Sequence, residues 1–369
     1  MVVEDCYKLG AKRVTVKWSH MPITKLGYIY RTEETLSEVT DVEKAEWQQR
    51  VDKLSCLLWL DSDDPDGLDG TDHEKISNAT MKRYPIIKPY RDALENKYQW
   101  CIASVPGKEW AHKVFPDLPA EQAIEKLWEA ILLTSRVDED PIKAWEKHNK
   151  ELYDHCKILN DYRFESLEYK SSNGTDFKVG LNKKGIFCGG GEYTLGTNIY
   201  FNPNIPSEEA FTSPVRGKAE GKVVATKPLS YQGKLIENFW VRFEGGKVVE
   251  VYAQKNQDVL EKMIAMDEGA AYLGEVALIG YDSPINNTGI LFYNTLFDEN
   301  ASCHLALGRG FNNCLENYEK YSVEECKALG VNDSMIHVDF MIGSKDMSIV
   351  GVTEKGERVQ IFKDGNWAI

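Results

Sequence analysis

The patterning of the chain changes once, near residue 163, and that break limits the fold more than any other feature of the 369 residues. Before it, short apolar runs alternate with long amphipathic ones. A helix is expected over 2–9, stopped by Gly10, and a strand at Arg13–Trp18, where Arg-Val-Thr-Val-Lys-Trp alternates polar and apolar residues. A polar helix at about 41–53 leads into a strand of buried type, Cys56–Leu60. A second helix at about 71–96 leads into a strand at Gln99–Val105, and helices at about 119–135 and 140–160 follow. Such alternation predicts an open, mostly parallel sheet with helices on both faces. Beyond the break the chain is strand-rich, with Leu167–Lys170, Asp176–Leu181, Gly221–Thr226 and Phe239–Tyr252 set among Asn-Gly and Gly-Gly turns, and one helix at about 256–273. The expected architecture is therefore α/β. An N-terminal α/β domain spans 1–163, and a strand-rich mixed α+β domain spans 164–369 and carries all the chemistry.

Charge and cysteine usage narrow the function. A formal net charge of −14 with no compensating basic block argues against a nucleic-acid partner. No apolar run approaches the roughly 18 residues a membrane helix needs. The opening Met-Val-Val-Glu-Asp-Cys has neither the basic nor the apolar region of a signal peptide. Eight cysteines without a Cys-x-x-Cys spacing fit reduced thiols in a cytoplasmic protein. The acidic stretch Asp61–Asp72 fails the EF-hand template, having Asp66 where a glycine and Asp72 where a bidentate Glu belong, and reads as a solvated loop. Gly189-Gly190-Gly191 lacks the Lys-Ser/Thr of a phosphate loop and reads as a turn.

Four places beyond residue 163 carry groups suited to metal chemistry. His337-Val-Asp339 lies in the strand-like run 335–342, so His337 and Asp339 share one face while Ile336, Val338 and Phe340 share the other. An imidazole and a carboxylate so placed suit Zn, Co or Mn. Glu275 opens the apolar strand 276–280, and taken alone it reads first as a solvated strand end. Glu208-Glu209 sits in a turn between Pro206 and Pro214, with Ser207 able to cap it and give one Glu a local role. In Asp298-Glu-Asn-Ala-Ser-Cys-His-Leu-Ala-Leu-Gly308, a short helix is expected from an Asn300 N-cap to a Gly308 stop, with His304 in its middle and Asp298 and Glu299 just before it. His304 beside Leu-Ala-Leu also reads as a core histidine. Cys303 next to it is no nucleophile for it, because neighbouring helix positions point about 100° apart.

Three blocks bring these places together. Residues 203–214 (Pro-Asn-Ile-Pro-Ser-Glu-Glu-Ala-Phe-Thr-Ser-Pro), residues 281–308, and His-Val-Asp-Phe-Met-Ile-Gly at 337–343 resemble the thermophilic metalloaminopeptidases of the aminopeptidase T and aminopeptidase S type, and the resemblance runs the whole length. It implies a homodimer, a pair of divalent ions (Zn, Co or Mn), and removal of N-terminal residues from peptides with a free amino end. It carries the ligand role to Glu209 rather than Glu208, and to Glu275, His304, His337 and Asp339. Two ions (+4) then face three carboxylates (−3) and two neutral imidazoles. Glu299, not needed as a ligand, is the candidate general base.

The chain departs from the family at two points. Seven residues after the motif histidine the family has a tyrosine at the metal centre, and here Phe311 stands instead. Losing such an oxyanion donor is worth about 10²–10³ in rate. Arg309, Tyr318 and Tyr321 are the candidates to replace it. The family also has a strand and helix before the segment matching Val2–Lys12, so one sheet edge is expected to lack a neighbour. Two readings therefore compete: a metal-dependent aminopeptidase, and a weakly active or non-catalytic binder of metal and peptide. A two-metal phosphoesterase is disfavoured, since Arg216 and Arg309 are too few for phosphate.

Overall fold

Two antiparallel sheets face each other across the strand-rich part of the chain. The computed structural model describes every residue except Asp138. The larger sheet runs, edge to edge, through Lys247–Lys255, Lys234–Glu244, Pro214–Val224, Asp176–Leu181, Phe164–Lys170, Ser348–Thr353, Arg358–Lys363 and Asn366–Trp367, with Leu229–Tyr231 paired beside Lys234–Glu244. The smaller sheet has the order His337–Met341, His304–Gly308, Leu273–Leu278, Ala210–Thr212. Alternate residues of both sheets meet in one core: Leu167, Tyr169, Phe177 and Ile349 from the first, Val276, Leu305, Leu307 and Phe340 from the second. Each fully buried side chain of this size contributes about 1.5–3 kcal/mol. Because strand side chains alternate, the opposite face of the smaller sheet is left for other use.

The first part of the chain is helical around a minimal sheet. Leu57–Asp61 and Trp100–Ser104 pair in parallel, residue for residue. Segment 203–205 continues that ladder, with Ile102 N donating to Pro203 O (2.8 Å) and Ile205 N donating to Ile102 O (2.9 Å). Long helices Asp41–Lys53, His73–Leu94, Ala120–Thr134 and Pro141–Tyr162 lie where expected. A second core locks Trp110, Leu127 and Ile131 onto Ile285, Phe292 and Phe297. Trp110 Nε1 donates to Phe292 O at 2.6 Å.

Several expectations are corrected. Arg13–Trp18 forms no strand; its alternation is real, but among the described residues no strand pairs with it, Val14 N donating instead to Tyr7 Oη at 3.3 Å, and Trp18 stays exposed. The anticipated parallel sheet has two strands among the described residues, and Leu57–Leu60 is exposed rather than buried on both faces. Helices at Met21–Tyr30, Glu33–Ser37 and Lys108–Val114 were not foreseen, and the long helix at 256–273 is Gln257–Ile264 followed by a single turn at Gly269–Ala271. Most consequentially, the short helix from Asn300 to Gly308 does not exist. Asn300 closes the helix Thr295–Glu299, and His304 opens a strand. Leu305, Ala306 and Leu307 fit a two-residue period, with both leucines turned to the core, and a run this short has no length in which to favour the helical period.

Candidate metal centre

Cross-strand register assembles the site. Ala306, in the central strand, lies opposite Glu275 on one side and Asp339 on the other. The two carboxylates therefore flank a mere methyl group, which leaves room above the sheet. One pair further along, Ala277 lies opposite His304 and Phe211, and Gly308 lies opposite His337. Glu209 arrives from the end of the edge strand Ala210–Thr212. Gly189 makes that approach feasible: a Cβ there would lie 2.5 Å from Glu209 O.

All five residues singled out from the sequence converge. His304 Nε2 lies 3.2 Å from Glu209 Oε2 and 4.0 Å from Asp339 Oδ1. His337 Nε2 lies 3.1 Å from Glu275 Oε2 and 3.3 Å from Asp339 Oδ1. The ligand atoms form two triads, Glu209–Glu275–His304 and Glu275–His337–Asp339, each gathered within 4.8 Å and joined through Glu275. The other ring nitrogens point away to the backbone. His337 Nδ1 donates to Arg309 O at 2.7 Å, and His304 Nδ1 meets Ser302 O at 3.3 Å, so Nε2 of both rings faces the carboxylates. His337 is the member left partly open, its side chain 26% exposed.

The electrostatics are those of a site built for cations. Burial would lower His304, yet Glu209 foremost overrides it and holds the ring up at about 9. His337 is likewise raised well above its ordinary value, against burial, by Asp339 and Glu275. Burial would raise Asp339, but His337 and then His304 bring it down to about 2. Glu275 is pushed up to about 7 by burial, with His337 opposing. Imidazolium protons thus occupy the electrostatic role that divalent ions fill with neutral rings. Asp339 Oδ1 tests the fit: it is buried and, although 3.3 Å from His337 Nε2, accepts no hydrogen bond of proper geometry. A lone pair so stranded is satisfied by a cation.

Two adjacent acidic pairs are resolved by direction. Asp298 turns inward to accept the N–H groups of Phe292 (2.8 Å) and Asn294 (3.1 Å), and burial pushes it up to about 7. Glu299 turns to the cluster, where burial first, then Asp339, Glu209 and Glu275, hold its carboxyl well above the usual range. Likewise Glu208 points to Arg136 while Glu209 joins the triad. Phe311 lies where expected, its ring 4.9 Å from that of His337 and 5.5 Å from Phe211, and it offers no oxygen. The proposed substitutes are occupied elsewhere. Arg309 reaches Glu95 (3.4 Å) and Asp92 (3.9 Å), Tyr321 accepts from Lys184 (2.9 Å), and Tyr318 sits beside Asn96 and Glu192. The anchoring roles of Arg136, His148 and Asn300 left no trace in local patterning, because their partners are far away along the chain.

Two triads of carboxylate and imidazole sharing one carboxylate, raised on a sheet of small residues, define a dinuclear metal-binding hydrolase centre. The chain belongs to the thermophilic metalloprotease (M29) family, which it matches over residues 1–367. It is similar to aminopeptidase AmpS of Bacillus subtilis (strain 168), 40% identical over 370 residues, covering 100% of this chain and 90% of that relative. It is 38% identical to aminopeptidase T of Thermus aquaticus over 371 residues, with the same coverage. Wild-type AmpT from Thermus thermophilus shares its fold with a TM-score of 0.90 at 37% identity, over 100% of this chain and 90% of that one.

Proposed function

We propose that Glu209, Glu275, His304, His337 and Asp339 hold two divalent ions, drawn from Zn, Co and Mn, and that Glu299 is the general base. The protein is a metal-dependent aminopeptidase of the M29 type. The observation that carries the ligand assignment is the pair of triads meeting at Glu275. When bound, the ions lower the pKa of the attacking water and polarise the scissile carbonyl. Glu299 takes the water's proton and hands it to the departing amine, a transfer its position beside Asp339 and Glu209 favours. The partly open side of His337 admits the peptide end, while Arg309 O and Ser302 O keep both rings oriented.

Three further parts belong to this reading. Peptides with a free amino end are the substrates. The protein acts in the cytoplasm as a homodimer, and Leu57, Leu58, Trp59 and Leu60, exposed on the single chain, are surface that an assembly would cover. The division of labour falls at residue 163, with 1–163 framing the cleft and 164–369 holding the ions.

A second reading, a weakly active or non-catalytic binder, is favoured by Phe311 alone. Metal-stripped protein titrated with cobalt and supplied with an aminoacyl chromogenic amide separates the two. Two bound cobalt ions with released chromophore support the enzyme; two bound ions without product support the binder; no cobalt uptake overturns the ligand set.

A further inference from the structure

Glu208 has no part in the metal cluster, yet it is as buried as the ligand beside it. Its carboxylate meets Arg136 at two points, Nη1 bonding Oε1 and Nη2 reaching Oε2 at 2.8 Å, with side-chain exposures of 19% for Arg136 and 7% for Glu208. Arg136 is itself fixed. It holds a left-handed backbone (φ 56) in the turn just after helix Ala120–Thr134, and Trp145 Nε1 donates to the preceding Ser135 O at 2.8 Å. The backbone N–H of Glu208 donates to Asn300 Oδ1 at 2.7 Å. Asn300 is fully buried; its Nδ2 donates to Leu296 O (2.9 Å) and lies 3.4 Å from Glu299 Oε1.

The chain leading to Glu209 is gripped at almost every step. Asn202 and Asn149 exchange side-chain bonds of 3.1 and 2.9 Å. Pro203 and Ile205 bond the backbone of Ile102, and His148 Nε2 donates to Ser207 O at 2.7 Å. All of these grips come from residues before 163, whereas Glu275, His304, His337 and Asp339 come from the sheet beyond it. Glu209 is therefore the ligand held from both parts of the chain, by these residues on one side and by Asn300 and the pairing of Ala210 with Leu278 on the other. A neutral side chain at 208 would fill the same space; what the Arg136–Glu208 fork adds is a fixed plane and direction.

We propose that Arg136 is a positioning residue for the metal centre: acting through Glu208 and Asn300, it sets Glu209 relative to Glu299 and so couples the geometry of the cation pair to the turn at Ser135 and Arg136 that ends helix Ala120–Thr134. The proposal rests on Glu209 being a ligand, and its test is separable from that assignment. Metal-stripped wild type, Arg136→Lys and the double variant Arg136→Met/Glu208→Gln are titrated with cobalt and followed by visible absorption, with circular dichroism reporting the fold. The double variant removes both charges together, so no lone buried carboxylate is left behind. Expected is a folded double variant whose cobalt affinity falls by about 10–100-fold with an altered absorption band, the usual cost of losing a partner of a metal ligand. Wild-type affinity and spectrum in the folded double variant overturn the proposal. Should that variant fail to fold, Arg136→Lys decides on the same readout: it keeps the charge and loses the fork, so weakened binding supports the role and wild-type binding ends it. Cobalt uptake absent from the wild type itself would sink the ligand assignment instead.

Discussion

Single side chains decide whether this centre turns over. Glu299 faces the candidate ligands, and with it as the proposed base Glu299→Gln is expected to lower kcat by about 10²-fold or more while leaving cobalt stoichiometry intact; unchanged turnover ends that role. Phe311 sets a ring tilted against His337, 4.9 Å away, where the sequence resemblance implies a phenol. Phe311→Tyr is expected to raise turnover by about 10²-fold, the worth of one oxyanion donor, measured on an aminoacyl amide. The imidazoles make a third expectation. His304 in the cation-free site stays protonated below about 9, and a metal ligand must be neutral, so binding at pH 7 releases protons and affinity climbs as pH rises toward 9. Calorimetry in buffers of different ionisation enthalpy reads that release directly; buffer-independent heats would contradict it. At this scale the sequence was legible where local alternation carried the message: His337 and Asp339 share a face because Val338 and Phe340 share the other. It was silent on Arg136 and Glu208, 72 positions apart, since an ion pair between distant residues leaves no mark on either neighbourhood.

Among the elements, the central strand His304–Gly308 does the arranging. Its helix-like reading failed because a five-residue run, His-Leu-Ala-Leu-Gly, suits either period, and the deciding partners, Leu273–Leu278 and His337–Met341, come from distant sequence. Arg13–Trp18 failed the opposite way, with a convincing alternation and no strand to pair with. The same register yields a prediction. Ala306 separates Glu275 from Asp339 by one methyl, so Ala306→Val intrudes between them. Expected are an overpacking cost of about 1–3 kcal/mol in denaturant unfolding and a loss of cobalt affinity. A variant that binds cobalt normally would show that the small residue is incidental.

At the level of the whole molecule, Glu209, Glu275 and Asp339 are three buried carboxylates among those that leave the chain at −14. Divalent ions bind this folded arrangement and not the unfolded chain, so chelation is expected to lower Tm. Metal at 100 times its dissociation constant contributes about 2.7 kcal/mol per site. A thermal scan with and without chelator checks this, and coincident transitions would refute it. Strand-helix alternation before 163 and strand richness after it were both visible in the sequence. The extent of the parallel sheet was not, because strand number depends on which segments find neighbours.

Glu275 belongs to both triads. Two ions held as proposed would therefore not be recruited independently, since both would draw on that one carboxylate. Peptide turnover would then follow metal supply through both places together rather than through either one alone.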